Sequence, residues 1–547
     1  MGGLPKVCNS KDCIEIAFRF TNNIDDSVDP CNNFYRYSCG KFHRQDLDRQ
    51  MNFLETQTDS TRRALYALLS TTDSNDTSRT AQLSRSLFGS CMDNFRRSNA
   101  GYSPLIERLK NLPCGPLLSG CNFDSASYSW ERHSGMLGWY AGTFNLVNFG
   151  TDVHPQDRTQ ITLQFIPPDL SEILDPVREQ LIELAHPGPT EIDTLLQVQL
   201  RQNLTKSVLF EYIQPDEKQR QNALEEVSQL MVDVNKIATT TPSNVTDITF
   251  GELKQAVPNI AWNDLLYAEL STMIKLSDST MISVVNLAYF EQLSQLVAKS
   301  SPQALANYLV AVTAKQLEQF VYDEKIQPTW NRCIENMESL EPVEKLYILS
   351  HPNYQFDKIK SYLKEVKQSF ILAHQATLLR HLGEINRIAF LVGYPKRLTD
   401  ESLVTKPFAS VPIDPNDYFT SITGLLKQQS TYRLSQIGTY LDADDTTDEL
   451  LRTTELADAL KTTSNSYSKW DQGSSTHTER NLPGFDNYDD VQNMMMVFGT
   501  LFCNREGAQP GSPYEAMINT AASNLRLFST HFKCPSGSAL YNRKSCL

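Results

Sequence analysis

Positive charge is the scarcer sign in this chain: 50 Lys and Arg face 64 Asp and Glu, for a net charge of −14. No Lys/Arg block offsets the deficit, so a polyanionic nucleic acid meets net repulsion and is excluded as a partner. Long apolar runs are missing too. The best, IAFLVGY at 388–394, falls far short of the roughly 18 residues that a membrane helix needs, so no membrane span is expected. There is no G-x-S-x-G, no P-loop and no G-x-G-x-x-G, which removes the serine-elbow, phosphate-cradling and dinucleotide-binding chemistries. No two cysteines form a C-x2-C pair, so a cysteine zinc ribbon is excluded. Nine histidines occur, at 43, 133, 154, 186, 351, 374, 381, 477 and 531, and no two are four apart. Two imidazoles one helical turn apart, the simplest way to share a metal ion, are therefore not available.

What remains is globular. Of the 547 residues, 40% are apolar and 21% charged, enough for real cores and too apolar for a disordered chain. Eleven cysteines gather mostly toward the two ends, with tight pairs at Cys8/Cys13 and Cys114/Cys121, a spacing that reads as a disulfide framework. Three N-glycosylation sequons begin at Asn75, Asn203 and Asn244. Cysteines and sequons together place the protein in an oxidising, secretory setting, either secreted or as the ectodomain of an anchored protein. The first residues, MGGLPKVCNS, carry no basic and then apolar leader, which fits a leader or anchor removed upstream. Because eleven is odd, at least one thiol lacks an intramolecular partner.

Helical periodicity dominates. Residues 60–70, 80–95, 217–237 and 356–390 place apolar side chains three and four apart. Strand-like alternation is sparse, and the best candidates are 160–166 and 143–149. Pro, Gly, Ser and Thr mark loops at 113–121, 240–247 and 507–513. An acidic stretch begins at Asp442, and the polar run 462–481 reads as a connector. These patterns predict a mainly α-helical protein, with a large central helical region and a small C-terminal part.

The segment DPCNNFYRYSCGKF at 29–42 resembles the N-terminal signature of the neprilysin family of zinc metallopeptidases, the group that includes endothelin-converting enzymes. Other pieces are similar to that family in the same order: CNSKDC at 8–13, ALANYLV at 304–310, TWNRCIENM at 329–337 and Gly393-Tyr394-Pro395. Toward the end come LPGFDNYDDVQNMMMVFGTLFC at 482–503 and SNLRLFSTHFKCPSGSALYNRKSC at 523–546. The resemblance implies a large helical lobe over 31–412, a reduced catalytic lobe over 413–547, and an N-terminal segment, 1–30, belonging to that reduced lobe. It implies disulfides Cys8–Cys13, Cys31–Cys534, Cys39–Cys503 and Cys91–Cys333. Cys114–Cys121 would be a local addition. Cys546 matches the last family cysteine, whose usual partner lies in a zinc-binding region missing here. Cys546 is thus expected to be unpaired, capped or engaged in a homodimer bridge.

Active members need H-E-x-x-H on a helix, and this chain has none. The family's E-x-x-x-D segment matches a remnant at 453–470, which aligns Asp458 with the family Asp and puts Thr454 at the third-ligand position. Glu455 is one residue out, a turn of about 100° on a helix. The substrate-aligning Asn segment and the zinc helix are absent between Tyr440 and this remnant. The His and Arg that stabilise the tetrahedral intermediate align with Gly511 and Met517, neither of which can donate from its side chain. The vestigial positions are therefore Thr454, Asp458, Gly511 and Met517.

Chemistry rebuilt elsewhere finds little support. His374 and His381 share a predicted helix face but lie about 10.5 Å apart along it, too far for one metal ion. The acidic loop with Asp442, Asp444, Asp445, Asp448 and Glu449 lacks EF-hand spacing. Met494, Met495 and Met496 are expected to fill core gaps. The expectation is a catalytically inactive extracellular relative of neprilysin-like peptidases that binds a peptide or protein partner and carries no cofactor. The alternatives are a divergent or incompletely read zinc metalloendopeptidase, which would need zinc, and an oligomeric extracellular scaffold.

Overall fold

The computed structural model describes residues 7, 11–42, 53–71, 78–141, 145–154, 157, 160–185, 192–241, 244–266, 276–322, 329–350, 396–439, 482–503, 513–523 and 525–541. The fold is mainly helical, with one small sheet. Two compact units emerge. Described residues up to 63 and from 482 onward form the terminal unit, while 64–350 and 396–439 form the helical unit. These divisions differ from the boundaries at 30/31 and 412/413 read from the sequence. The described residues among 31–63 join the terminal unit, and 413–439 join the helical one. Cys31 and Cys39 are bonded to Cys534 and Cys503, which ties the N-terminal signature to the far end of the chain.

The helical unit is organised around the helix Pro302–Glu318. Ser301 caps it by accepting from the Ala304 amide, and Pro302 occupies the first turn, where its missing N–H costs nothing. Twelve of its seventeen residues are buried, and over Ala304–Ala314 every residue is, so the middle of this helix has no solvent face. Several of its polar groups are paired inside the core, although Asn307 Nδ2 finds no partner there. Asn307 Oδ1 accepts from the Leu117 amide at 2.7 Å, and Tyr308 Oη donates to the Asn145 carbonyl at 3.0 Å. Asn145 Nδ2 donates in turn to Thr313 Oγ1 at 3.1 Å. The 24-residue helix Glu217–Thr240, capped by Asp216, turns Leu224, Val227, Met231 and Val234 into the core. It packs against Ile192–Thr205, which contributes Leu196, Leu200 and Leu204.

Four strands form a sheet in the order β1-β2-β4-β3: β1 (Asn148–Val153), β2 (Ile161–Ile166), β3 (Val245–Thr249) and β4 (Met281–Val285). β1 and β2 are antiparallel, β2 and β4 parallel, and β3 and β4 antiparallel. The alternation at 160–166 thus marks a real strand. The strand expected at 143–149 begins at Asn148 instead, because Leu146 and Val147 are core residues ahead of the ladder. The stretch 245–247, read as loop, is the start of β3. The single helix expected over 80–95 is broken: Arg79–Met92 ends and Asp93 caps a second helix, Asn94–Ala100. The predicted helix at 356–390 lies outside the described residues, as do His374, His381 and the acidic loop from Asp442.

Among the described residues no helix is long and apolar enough to cross a membrane. Cys91–Cys333 and Cys114–Cys121 are both bonded within the helical unit.

Candidate functional site

The terminal unit carries the segments aligned with a catalytic lobe, and it starts from one short helix. Asp29 accepts from the Cys31 amide at 2.9 Å and from Asn32 Nδ2 at 2.9 Å, closing the turn that aims the chain. Asn33, in extended backbone at φ −154°, then caps the helix Phe34–Cys39 by accepting from the Arg36 amide at 3.0 Å. The same side chain reaches the helix Pro513–Ser523. Its Oδ1 accepts from Asn519 Nδ2 at 3.0 Å, and its Nδ2 donates to Glu515 Oε1. Asn519 Oδ1 returns a bond from the Tyr35 amide at 3.0 Å, and Arg36 Nε lies 3.1 Å from Glu515 Oε1. Asn33, Arg36, Glu515 and Asn519 therefore join the two chain ends through polar contacts. Sequence reasoning missed this network; the signal was an Asn just ahead of an aromatic helix start, with Glu and Asn one turn apart downstream.

Around it lies an aromatic core. Phe34 packs edge-on to Phe528 and Phe532, and Phe20 packs edge-on to Phe485. Met495 and Met496 are buried in this core and Met494 packs against it, so the methionine run fills space and does not line a groove. The helix Asp490–Leu501 approaches Phe34–Cys39 at Gly499, where an added Cβ would lie 2.6 Å from Ser38 Oγ. The bonds Cys39–Cys503 and Cys31–Cys534, with Cα separations of 5.2 and 5.3 Å, close the unit. Cys13 is disulfide-bonded as well, whereas Cys8 and Cys546 lie outside the described residues.

Of the vestigial positions, Met517 sits on Pro513–Ser523 and is 37% exposed, one helical turn from exposed Tyr514. Its thioether offers no donor to an oxyanion. Thr454, Asp458 and Gly511 lie outside the described residues. Asn203 lies on the helix Ile192–Thr205 and is half-buried, Asn244 is exposed at the start of β3, and Asn75 is outside the described residues.

A zinc ion is what the sequence resemblance brings to this place, and the described residues offer no set of donors that fits it. The described histidines are each engaged elsewhere. His133 is buried, with Nδ1 3.0 Å from Tyr128 Oη. His154 Nδ1 accepts from the Asp157 amide at 3.1 Å, and His531 Nδ1 lies 2.8 Å from Asp489 Oδ2. No group of three or more His, Cys, Asp and Glu side chains among the described residues could hold a metal. Burial drives the pKa of His133 down to about 4 from the ordinary 6.5, so it stays neutral.

The described residues form a mainly helical, disulfide-closed class of protein. Family models described as peptidase family M13 match residues 30–373 and 420–547, and the chain belongs to that family, the neprilysin family. It is 22% identical to Neprilysin-1 of Trittame loki over 83% of this chain and 67% of that protein. It is 21% identical to Neprilysin of Mus musculus, over 80% and 64%, and 20% identical to Neprilysin-2 of Drosophila melanogaster, over 77% and 59%. The chain thus spans roughly three fifths to two thirds of the length of these relatives. Among solved structures, the Mycobacterium tuberculosis zinc metalloprotease Zmp1 in complex with inhibitor shares the fold with a TM-score of 0.65 at 14% identity, covering 95% of this chain and 97% of that one. A Haemonchus galactose-containing glycoprotein complex matches with a TM-score of 0.60 at 14% identity, over 98% of each chain.

Proposed function

We propose that this chain is a family member that has lost zinc chemistry and acts outside the cell by binding a peptide or protein partner. One observation carries the proposal: no two of the nine histidines are four apart, so the paired imidazoles of H-E-x-x-H are missing from a chain that otherwise matches the family's second model over 420–547. Met517 at an oxyanion position and Thr454 at a ligand position agree with it. The retained disulfides of the terminal unit support a role for shape rather than for reaction. The extracellular setting rests on those disulfides and on the three sequons.

The test is to incubate the purified full chain with a randomised nonapeptide pool, with and without added zinc, and to identify retained peptides by mass spectrometry. Saturable retention of intact peptides is expected. New peptide termini that depend on zinc and vanish with a chelator would overturn the proposal, and so would the absence of retention.

The match over 420–547 also favours a second reading, a metalloendopeptidase whose zinc segment is missing from this sequence. The shorter span relative to the curated relatives agrees with it. Sequencing the native transcript across codons 440–455 decides between the two, because an omitted exon would restore H-E-x-x-H.

A further inference from the structure

We infer that Asn244 carries an N-linked glycan on the helical unit, and that this sugar guards an open sheet edge. The inference goes beyond the proposed function and needs only passage through the secretory route. β3 closes one end of the strand order, and its far side pairs with no other strand among the described residues. Such an edge offers unpaired backbone groups to a neighbouring chain. Here it also carries Val245, 55% exposed. Neither a Lys nor a Pro occurs within Val245–Thr249, and Asp247 is its one charged side chain.

Asn244 stands at the head of that strand, exposed, while its backbone is fixed. Its carbonyl accepts from the Asn286 amide at 2.7 Å. Asn286 is itself held in left-handed backbone at φ 59°, with its Nδ2 bonded to Thr241 Oγ1. In an extended chain, residues two apart project to the same side, so the Asn244 amide and the Thr246 hydroxyl face the same way. The Asn203 sequon is the contrast. It lies on the helix Ile192–Thr205, where residues two apart do not face each other. Asn203 Oδ1 also accepts from Gln199 Nε2 at 3.1 Å, and the Thr205 carbonyl accepts from the buried Arg220 at 3.1 Å.

The co-substrate is a lipid-linked oligosaccharide pyrophosphate. Asn244 Nδ2 forms a bond to the anomeric carbon and loses one proton. The bond from that carbon to the pyrophosphate oxygen breaks, and the lipid pyrophosphate leaves with the electron pair.

The experiment is site-resolved peptide mapping of the full chain from a secreting eukaryotic host, before and after N-glycosidase. Occupancy at Asn244 at least tenfold above that at Asn203 is expected. Asn244→Gln and Thr246→Ala should each remove one glycan mass and raise the self-associated fraction on a sizing column several-fold, with an unchanged near-UV dichroism spectrum. A bare Asn244, whether or not Asn203 carries sugar, would overturn the inference. Sugar-free variants that stay as monodisperse as the parent would overturn its protective role. Each of these results leaves peptide binding to its own assay.

Discussion

The two units reach a folded state by different means. The helical unit encloses the helix Pro302–Glu318, buried at every residue from Ala304 to Ala314, and its core extends from Leu65 to Leu434. Among the described residues, the core of the terminal unit is drawn from the two ends of the chain, which disulfides link across 503 and 464 residues of sequence. Apolar burial scales with the size of a core, whereas a crosslink over a long loop acts mainly by restricting the unfolded chain. Both units are crosslinked, but only the bridges of the terminal unit join the two ends of the chain. Those crosslinks hold together the segments aligned with a catalytic lobe.

The largest expected effect removes that closure. Cys39→Ser should cost ~2–5 kcal/mol, and it frees Cys503 for thiol labelling. Hydrogen exchange should rise across 11–42 and 482–541 far more than across the Pro302–Glu318 helix. Uniform loss of protection in both units would break the contrast between them.

Acid should act on the other unit. The folded pKa of His133, about 4, lies below the ordinary 6.5 because of burial, so between those values the unfolded chain binds a proton that the folded chain excludes. The His133 contribution is complete above about pH 6.5 and is lost as pH falls toward 4. It amounts to something on the order of 3 kcal/mol. Denaturant midpoints at pH 7 and 4.5 should therefore differ less in His133→Gln than in the parent. Equal pH dependence in the two proteins would show that His133 plays no such part.

Next in size is the helix contact at Gly499. A Cβ there would lie 2.6 Å from Ser38 Oγ and 3.0 Å from Ser38 Cβ. Gly499→Ala should cost ~1–3 kcal/mol, measured by denaturant unfolding, and Ser38→Gly in the same chain should recover part of the loss. The smallest effect belongs to Met517, which is 37% exposed. Met517→Ala should change stability by less than ~0.5 kcal/mol and leave peptide retention unchanged. A large loss of retention would make this vestigial position a binding residue.

The sequence made some of this legible and hid the rest, for physical reasons. The helical class followed from apolar spacing, and DPCNNFYRYSC pointed to the terminal signature because its cysteines and aromatics are distinctive. β3 and β4 escaped notice because VTDIT and MISVV are five-residue runs, too short for periodicity to separate strand from helix or loop. The unit boundaries escaped because composition is linear, while Asn33 finds Asn519 across 486 residues. Among the candidate site residues, Met517 could be placed on an exposed helix face, whereas the Asn ahead of Phe34 signalled only a helix cap and not its bond to Glu515 across the chain.

The most direct test of a terminal unit retained for shape and not for zinc chemistry is calorimetric titration of zinc into the metal-stripped, disulfide-intact chain at neutral pH. The account predicts no stoichiometric site tighter than micromolar. One zinc per chain bound in the nanomolar range would contradict it.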